Sequence, residues 1–166
     1  DLAGVKPMDR ETARELLGRE ITPDLYRRIR DEWKRHSLAE DRRDIPGLLA
    51  TLTPDCEYHL PQAGKVWRGH EGAAEFYRHL LGAFPDVQFD LAHVVIGPQG
   101  VWEAARLRAT HLGPWLDLAP SGEKVKLTVS IYFPWDLERE KFKGEIVYVF
   151  APGATGLGAA IDSART

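Results

Sequence analysis

An α+β fold, with helices first and an antiparallel sheet after, is what the sequence predicts. Three observations carry it. Apolar residues recur every three or four positions in the N-terminal half, as in Leu25, Ile29 and Trp33, and again in Phe76, Leu80, Leu81 and Phe84. From Val87 the period falls to two and holds to Phe150. Between Ile96 and Val101 stands Gly97-Pro98-Gln99-Gly100, four residues with hairpin-turn chemistry. Helices followed by hairpin-connected strands make a sheet with its helices gathered on one face.

The elements follow in order. The first residues are charged and irregular, so 1–21 reads as an extension, either a short helix over Arg10 to Leu17 or a flexible arm. Thr22 is an N-cap, Pro23 sits at the first helical position and Asp24 in the first turn, which opens a long amphipathic helix. Leu25, Ile29 and Trp33 form its stripe, with His36 at the next position of the spacing. Asp44-Ile45-Pro46 breaks it, and a short helix runs from Pro46 to Leu52. Thr53-Pro54 ends that helix, and Asp55 to Leu60 alternates as a strand. A third helix spans Glu71 to Phe84, stopped by Pro85-Asp86. Strands are expected over Val87–Ile96, Val101–His111, Lys124–Phe133 and Glu145–Phe150. A loose connection through Pro114, Pro120 and Gly122 and a charged one, DLEREKFKG, separate the last three. One domain over 22–150 results, and 151–166, rich in Gly and Ala, reads as a loosely docked tail.

Composition narrows the function. A chain of 166 residues suits one domain with a proper core. A net charge of -3 argues against nucleic acid as the main partner. Arg27, Arg28, Arg30, Lys34 and Arg35 cluster, but Asp24, Asp31 and Glu32 are interleaved, which is the pattern of a solvated helix face. The single cysteine, Cys56, leaves no internal disulfide and no Cys-based zinc cage, and fits a cytoplasmic setting. No apolar run approaches the ~20 residues of a membrane helix, so no membrane partner is expected.

Strand parity selects the chemistry-bearing residues. On Val101–His111 one face carries Val101, Glu103, Ala105, Leu107, Ala109 and His111, a lone carboxylate in an apolar row. Glu103 is either an acid or base in a pocket, with its pKa raised by burial, or a solvated residue near the turn. His59 shares a face with Asp55 and Glu57, opposite Tyr58, and is either a proton shuttle or a structural histidine. His93 falls with Val87, Phe89 and Leu91, so partial burial is expected. His36, His70 and His79 read as surface residues. The spacing of the histidines matches no compact metal signature, so no metal is expected. GATGLG lacks the Lys-Ser/Thr of a phosphate loop, and no nucleophile elbow appears. Trp67 and Trp115 stand among polar, Gly and Pro neighbours, where the rim of a ligand pocket is the better reading.

Three N-terminal helices around an early strand, followed by a four-strand meander, is the element order of the cone-shaped NTF2-like roll. Gly69-His70-Glu71-Gly72, Ala83-Phe84-Pro85-Asp86, Thr110-His111-Leu112-Gly113, Pro120-Ser121-Gly122-Glu123 and Gly144-Glu145-Ile146-Val147-Tyr148 resemble the SnoaL-like ester cyclase branch, which includes polyketide cyclases. The resemblance implies an apolar cone and cofactor-free acid–base chemistry on a cyclic or polyketide-like substrate. It also implies a homodimer through the outer sheet face, which carries Trp102 or Tyr132. A His before the turn at Leu60-Pro61 sharpens the case for His59. The chain departs from its relatives elsewhere. The catalytic Asp of ketosteroid isomerases would fall on Leu60, and the cyclases' Asp of the penultimate strand on Ser130 or Ile131. The Asp that ends the last strand in many relatives is replaced by Phe150. The Asp–Arg–Asp set of epoxide hydrolases is not matched, since Arg106 and Arg108 have no Asp on their strand. Two readings stay open. One is a catalyst with His59 and Glu103 as its acid–base pair and Tyr58, Trp67, His93, His111, Trp115 and Glu145 around a small apolar or cyclic ligand. The other is a binding protein that kept the pocket without the chemistry.

Overall fold

The computed structural model describes residues 6–150; the expected tail, 151–166, lies outside the described residues. Four α-helices and six strands follow one another as α1 (Arg10–Leu17), α2 (Pro23–Asp41), α3 (Ile45–Leu49), β1 (Leu52–Leu60), β2 (Lys65–Arg68), α4 (Gly69–Ala83), β3 (Gln88–Gly97), β4 (Gly100–Thr110), β5 (Lys124–Asp136) and β6 (Lys141–Phe150). The strands form one sheet in the order β2-β1-β6-β5-β4-β3. All neighbours are antiparallel except β1 and β6, which run parallel.

Local chemistry places the helices as expected. Thr22 Oγ1 accepts from the Leu25 amide at 3.1 Å, Pro23 opens α2, and Asp9 caps α1 by accepting from Thr12 N at 2.8 Å. The α1 helix docks rather than trailing as an arm, since Gln99 Nε2, in the β3–β4 turn, donates to Leu16 O at 2.7 Å. The α4 helix packs chiefly on β1, and α2 on β3 and β4, so both lie on the concave side of the sheet. Between helices and sheet sits a core led by Ile29, Leu48, Tyr58, Tyr77 and Phe142, all fully buried.

Three differences from the sequence expectation have physical causes. The helix expected to reach Leu52 stops at Leu49, because Leu52 is drawn into parallel pairing with Phe142. Pro54, which has no amide proton, is tolerated inside β1 because the pairing with β6 is broken between Leu52 and Glu57. The charged stretch after Asp136 is a tight hairpin: Asp136 Oδ1 accepts from the amides of Glu138 and Arg139, and β6 begins at Lys141 rather than Glu145. The short β2, hidden among polar residues, pairs antiparallel with β1 through Tyr58 and Trp67.

Two irregularities decide which side chains face inward. In β3 the register slips between Leu91 and His93, so that Leu91 lies opposite Ala105 but His93 opposite Ala104. The extra residue moves His93 off the concave face, where it is exposed, and the expected partial burial does not occur. In β6 the register slips between the pairs Ile146–Tyr132 and Phe142–Trp135. Phe142 and Glu145, three residues apart, are therefore both buried. Gly144 stands at the slip with φ of 115°, and a Cβ there would lie 1.9 Å from Glu57 O of β1. Only glycine fits that approach.

Candidate functional site

The concave face of the sheet and the helices enclose a cavity of about 290 Å³. Its wall is aliphatic and aromatic, with Leu107, Leu127, Ile131 and Val147 from the sheet and Phe76 and Phe84 from α4 and its end. Trp115 and the exposed Leu118 stand on the β4–β5 loop. That loop is tied to α4 because the amides of Leu112 and Gly113 both donate to Ala83 O, at 2.9 and 3.1 Å. A Cβ on Gly113 would lie 2.4 Å from Gly82 O, so the tie requires glycine. Among the described residues, the titratable groups lining the cavity are Glu40, Glu145 and His111, and no Lys or Arg joins them.

Glu145 anchors a buried polar network. Its Oε1 accepts from Tyr77 Oη at 2.7 Å and lies 2.9 Å from His36 Nε2. Tyr58 Oη lies 2.9 Å from Tyr77 Oη. Because the Tyr77 proton goes to the carboxylate, Tyr58 is the donor in that contact. On the other side His36 Nδ1 lies 2.6 Å from Thr51 Oγ1, which itself donates to Leu48 O at 2.7 Å. The edges of Phe133 and Phe142 close around the imidazole. Every side chain in this chain of contacts is almost fully removed from solvent. Both hydrogen bonds reach Oε1, which among the described residues leaves Oε2 without a partner on a residue that lines the cavity.

Two further carboxyls feel Glu145. Glu40, one helical turn after His36 on α2, is half-buried and lines the cavity. Burial, and then the charge of Glu145, push its pKa up to about 8. Glu103 on β4, buried beside the cavity-lining Ile131, is pushed up to about 8 by the same two causes in the same order. Near neutral pH both are mainly neutral acids, able to donate a hydrogen bond. Burial likewise raises Tyr58 and Tyr77, which stay protonated donors.

The expected site residues divide. Glu145, His111 and Trp115 line the cavity. The His111 ring stacks on Phe84 at 5.2 Å, and its Nε2 is buried without a hydrogen-bond partner among the described residues. Tyr58 is buried behind the cavity, in the network. Trp67 makes a T-shaped contact with Phe76 at 5.2 Å and does not line the cavity. His59 is not paired with Glu103: it lies on the outer face, 2.9 Å from Glu57 Oε2, in a groove with Asp55 and Lys143. The reason is parity, since Tyr58 and Leu60 take the inward positions of β1. Arg108 also points outward, pairing with Asp90 across the strands. Ile131 lines the cavity, whereas the Ser130 hydroxyl donates to the backbone of β4 at Glu103 O.

Sequence reasoning missed His36, Glu40, Tyr77 and Thr51. The signal for the first two was present, because both continue the Leu25–Ile29–Trp33 spacing of α2. His36 is 2% exposed rather than a surface residue. Among the described residues no group of three or more His, Cys, Asp or Glu could hold a metal ion, and no helix is long and apolar enough to cross a membrane.

A bent sheet wrapped around helices, with an apolar cavity between them, defines an NTF2-like roll. Within that class the chain belongs to the SnoaL-like polyketide cyclase family, whose family model matches residues 23–141. No curated protein matches the chain. Among solved structures it is similar to a SnoaL-like protein named as a polyketide cyclase from Jannaschia sp. CCS1, at 20% identity and a TM-score of 0.66, over 87% of this chain and 95% of that one. A Xanthomonas campestris pv. campestris protein, also named as a polyketide cyclase, aligns at 18% identity and a TM-score of 0.65, over 83% and 97%. TerC, crystallised with polyporic acid, aligns at 17% identity and a TM-score of 0.62, over 82% and 96%. At these identities the likeness is one of fold.

Proposed function

We propose that this chain is an acid–base catalyst of isomerisation or cyclisation, acting without a cofactor on a neutral, apolar, carbonyl-bearing ring compound. One observation carries the reading: Glu145 presents a carboxylate, held at one oxygen by Tyr77 and His36, to a largely apolar cavity. Glu145 Oε2 takes a proton from the carbon beside the carbonyl. Glu40, neutral near pH 7, donates to the carbonyl oxygen as it becomes an enol. Return of the proton from Glu145 to another atom, with the enol O–H proton going back to Glu40, is isomerisation. Attack of the enol on a second carbonyl, whose oxygen takes the proton from Glu145 while the enol O–H proton returns to Glu40, is cyclisation. His111 Nε2 and Trp115 contact the ligand near the β4–β5 loop. Glu103 acts here through the electrostatics of the cavity, and His59 has no part. A cavity of about 290 Å³ lies at the small end of ligand sites, which suits a compound of two or three rings.

Exchange of the α-protons of 2-tetralone in D2O, followed by proton NMR, tests the reading. Saturable acceleration over buffer is expected, with binding far weaker for tetralin-2-carboxylate, because among the described residues no Lys or Arg lines the cavity to meet an anion. A second reading, a binding protein without catalysis, is favoured by the cavity-facing Ile131 near where cyclases carry their Asp. Binding of 2-tetralone with exchange no faster than in buffer would establish it.

The proposed partner is a second copy of this chain. On the outer sheet face Trp102 is 46% exposed and stacks on Tyr132 and Tyr148 at 5.7 and 6.0 Å. An exposed aromatic platform on an open sheet face is the usual mark of a two-fold contact. Sedimentation at micromolar concentration should give the mass of two chains, and Trp102→Glu should reduce it to one. A single-chain mass for the unaltered protein would rule this interface out.

A further inference from the structure

We propose that Thr51 and His36 together set the proton inventory of Glu145, which makes both of them positioning residues for the base. The inference rests on Glu145 being that base and on a count of the protons around it. Thr51 Oγ1 has one proton and two contacts, to Leu48 O at 2.7 Å and to His36 Nδ1 at 2.6 Å. A carbonyl oxygen has no proton to give, so the hydroxyl donates to Leu48 O and accepts from Nδ1. His36 therefore carries a proton on Nδ1. The contact at 2.9 Å between His36 Nε2 and Glu145 Oε1 needs a proton of its own, because Tyr77 already donates its proton to Oε1. Nε2 also lies 3.0 Å from Tyr77 Oη, whose own proton goes to Oε1, so a proton on Nε2, directed at Oε1, serves both contacts and every contact is met.

Imidazole and carboxylate then form one unit with a shared proton. Its ionic form, imidazolium with carboxylate, leaves Oε2 free to take a proton from a substrate carbon, while the shared proton stays on Nε2 and is donated to Oε1. The positive charge that appears on the unit during that step is offset by Glu40 on α2, which becomes a carboxylate as it donates to the carbonyl oxygen; Glu103 on β4 also sits close enough to feel Glu145. Tyr77 from α4 and Tyr58 from β1 complete the surroundings, with the rings of Phe133 and Phe142. Thr51 does not line the cavity. It acts by holding the proton on Nδ1. Without that acceptor, the neutral ring is better placed with its single proton on Nε2, permanently committed to Glu145.

The test combines nitrogen-15 NMR of the His36 ring with the 2-tetralone exchange assay on the unaltered chain, Thr51→Val and Thr51→Ser. In the unaltered chain Nδ1 should show a protonated-nitrogen shift. Thr51→Val should move the ring to the Nε2-protonated tautomer and lower kcat about tenfold, with KM unchanged. Thr51→Ser should restore both. A neutral ring protonated only on Nε2 in the unaltered chain overturns the inference, with no variant required. So does a Thr51→Val protein with altered melting but the same tautomer and kcat. If the unaltered chain does not exchange 2-tetralone, the proposed function fails, and the NMR result still decides the proton count.

Discussion

Glu145→Gln should slow 2-tetralone exchange by about a thousandfold, within the range by which general bases accelerate proton transfer. The amide has almost the volume of the carboxyl, and its oxygen can still accept from Tyr77, so cavity and fold should survive. What it loses is the ability to take a proton. Binding of 2-tetralone should therefore change little while kcat collapses, the pattern of an interaction made in the transition state. Glu103→Gln in the same assay should cost far less, because Glu103 lies outside the cavity wall. An unchanged rate in Glu145→Gln would place the base elsewhere and remove the main support for the catalytic reading.

The second large effect is on stability. Glu103 is 9% exposed, and burial together with the charge of Glu145 lifts its folded-state pKa to about 8. In the unfolded chain a glutamate titrates near ~4.3. Between those values the folded chain holds a proton that the unfolded chain has released. The contribution of this group is therefore complete below about pH 4.3 and is lost as pH rises through about 8. Glu40 acts in the same direction, and since both couple to Glu145 they lose their protons as a linked set. Each can tilt the profile by at most about 1.4 kcal/mol per pH unit. Glu103→Gln removes one of these slopes. Its melting temperature should match that of the unaltered chain near pH 5 and exceed it by several degrees at pH 9, a gain on the order of 2 kcal/mol. Parallel melting profiles across that range would show that Glu103 is not held neutral by the fold.

Most of the architecture was legible from period alone. The change from a spacing of three or four to a spacing of two at Val87 separates helices from meander, and Thr22-Pro23 marks the start of α2 to the residue. The site was legible only in part, and the failures are local. Parity along β1 correctly groups His59 with Asp55 and Glu57, but parity cannot say which group faces inward; that is decided by helix α4 packing on Tyr58. His93 was misplaced by the slipped register in β3, which no residue type announces. Glu145 is turned inward beside a similar slip at Gly144, where the glycine was a usable sign. His36 and Glu40 lie on the buried stripe of α2, but charged and imidazole side chains near a helix end ordinarily belong to solvent. Their burial depends on partners from β1, α4 and β6 that lie far away in sequence.

Among the described residues, the polar network behind the cavity is buried and meets the space a ligand would fill at Glu145. His36, Tyr58, Tyr77, Thr51 and Glu145 are each no more than 3% exposed. A seated ligand is then a cork as well as a substrate. While it stays, protons pass between the network and the medium more slowly than in the empty chain. A sudden change of external pH should be felt by empty chains at once and by filled chains with a delay, so the site carries a brief memory of the conditions under which it was last open.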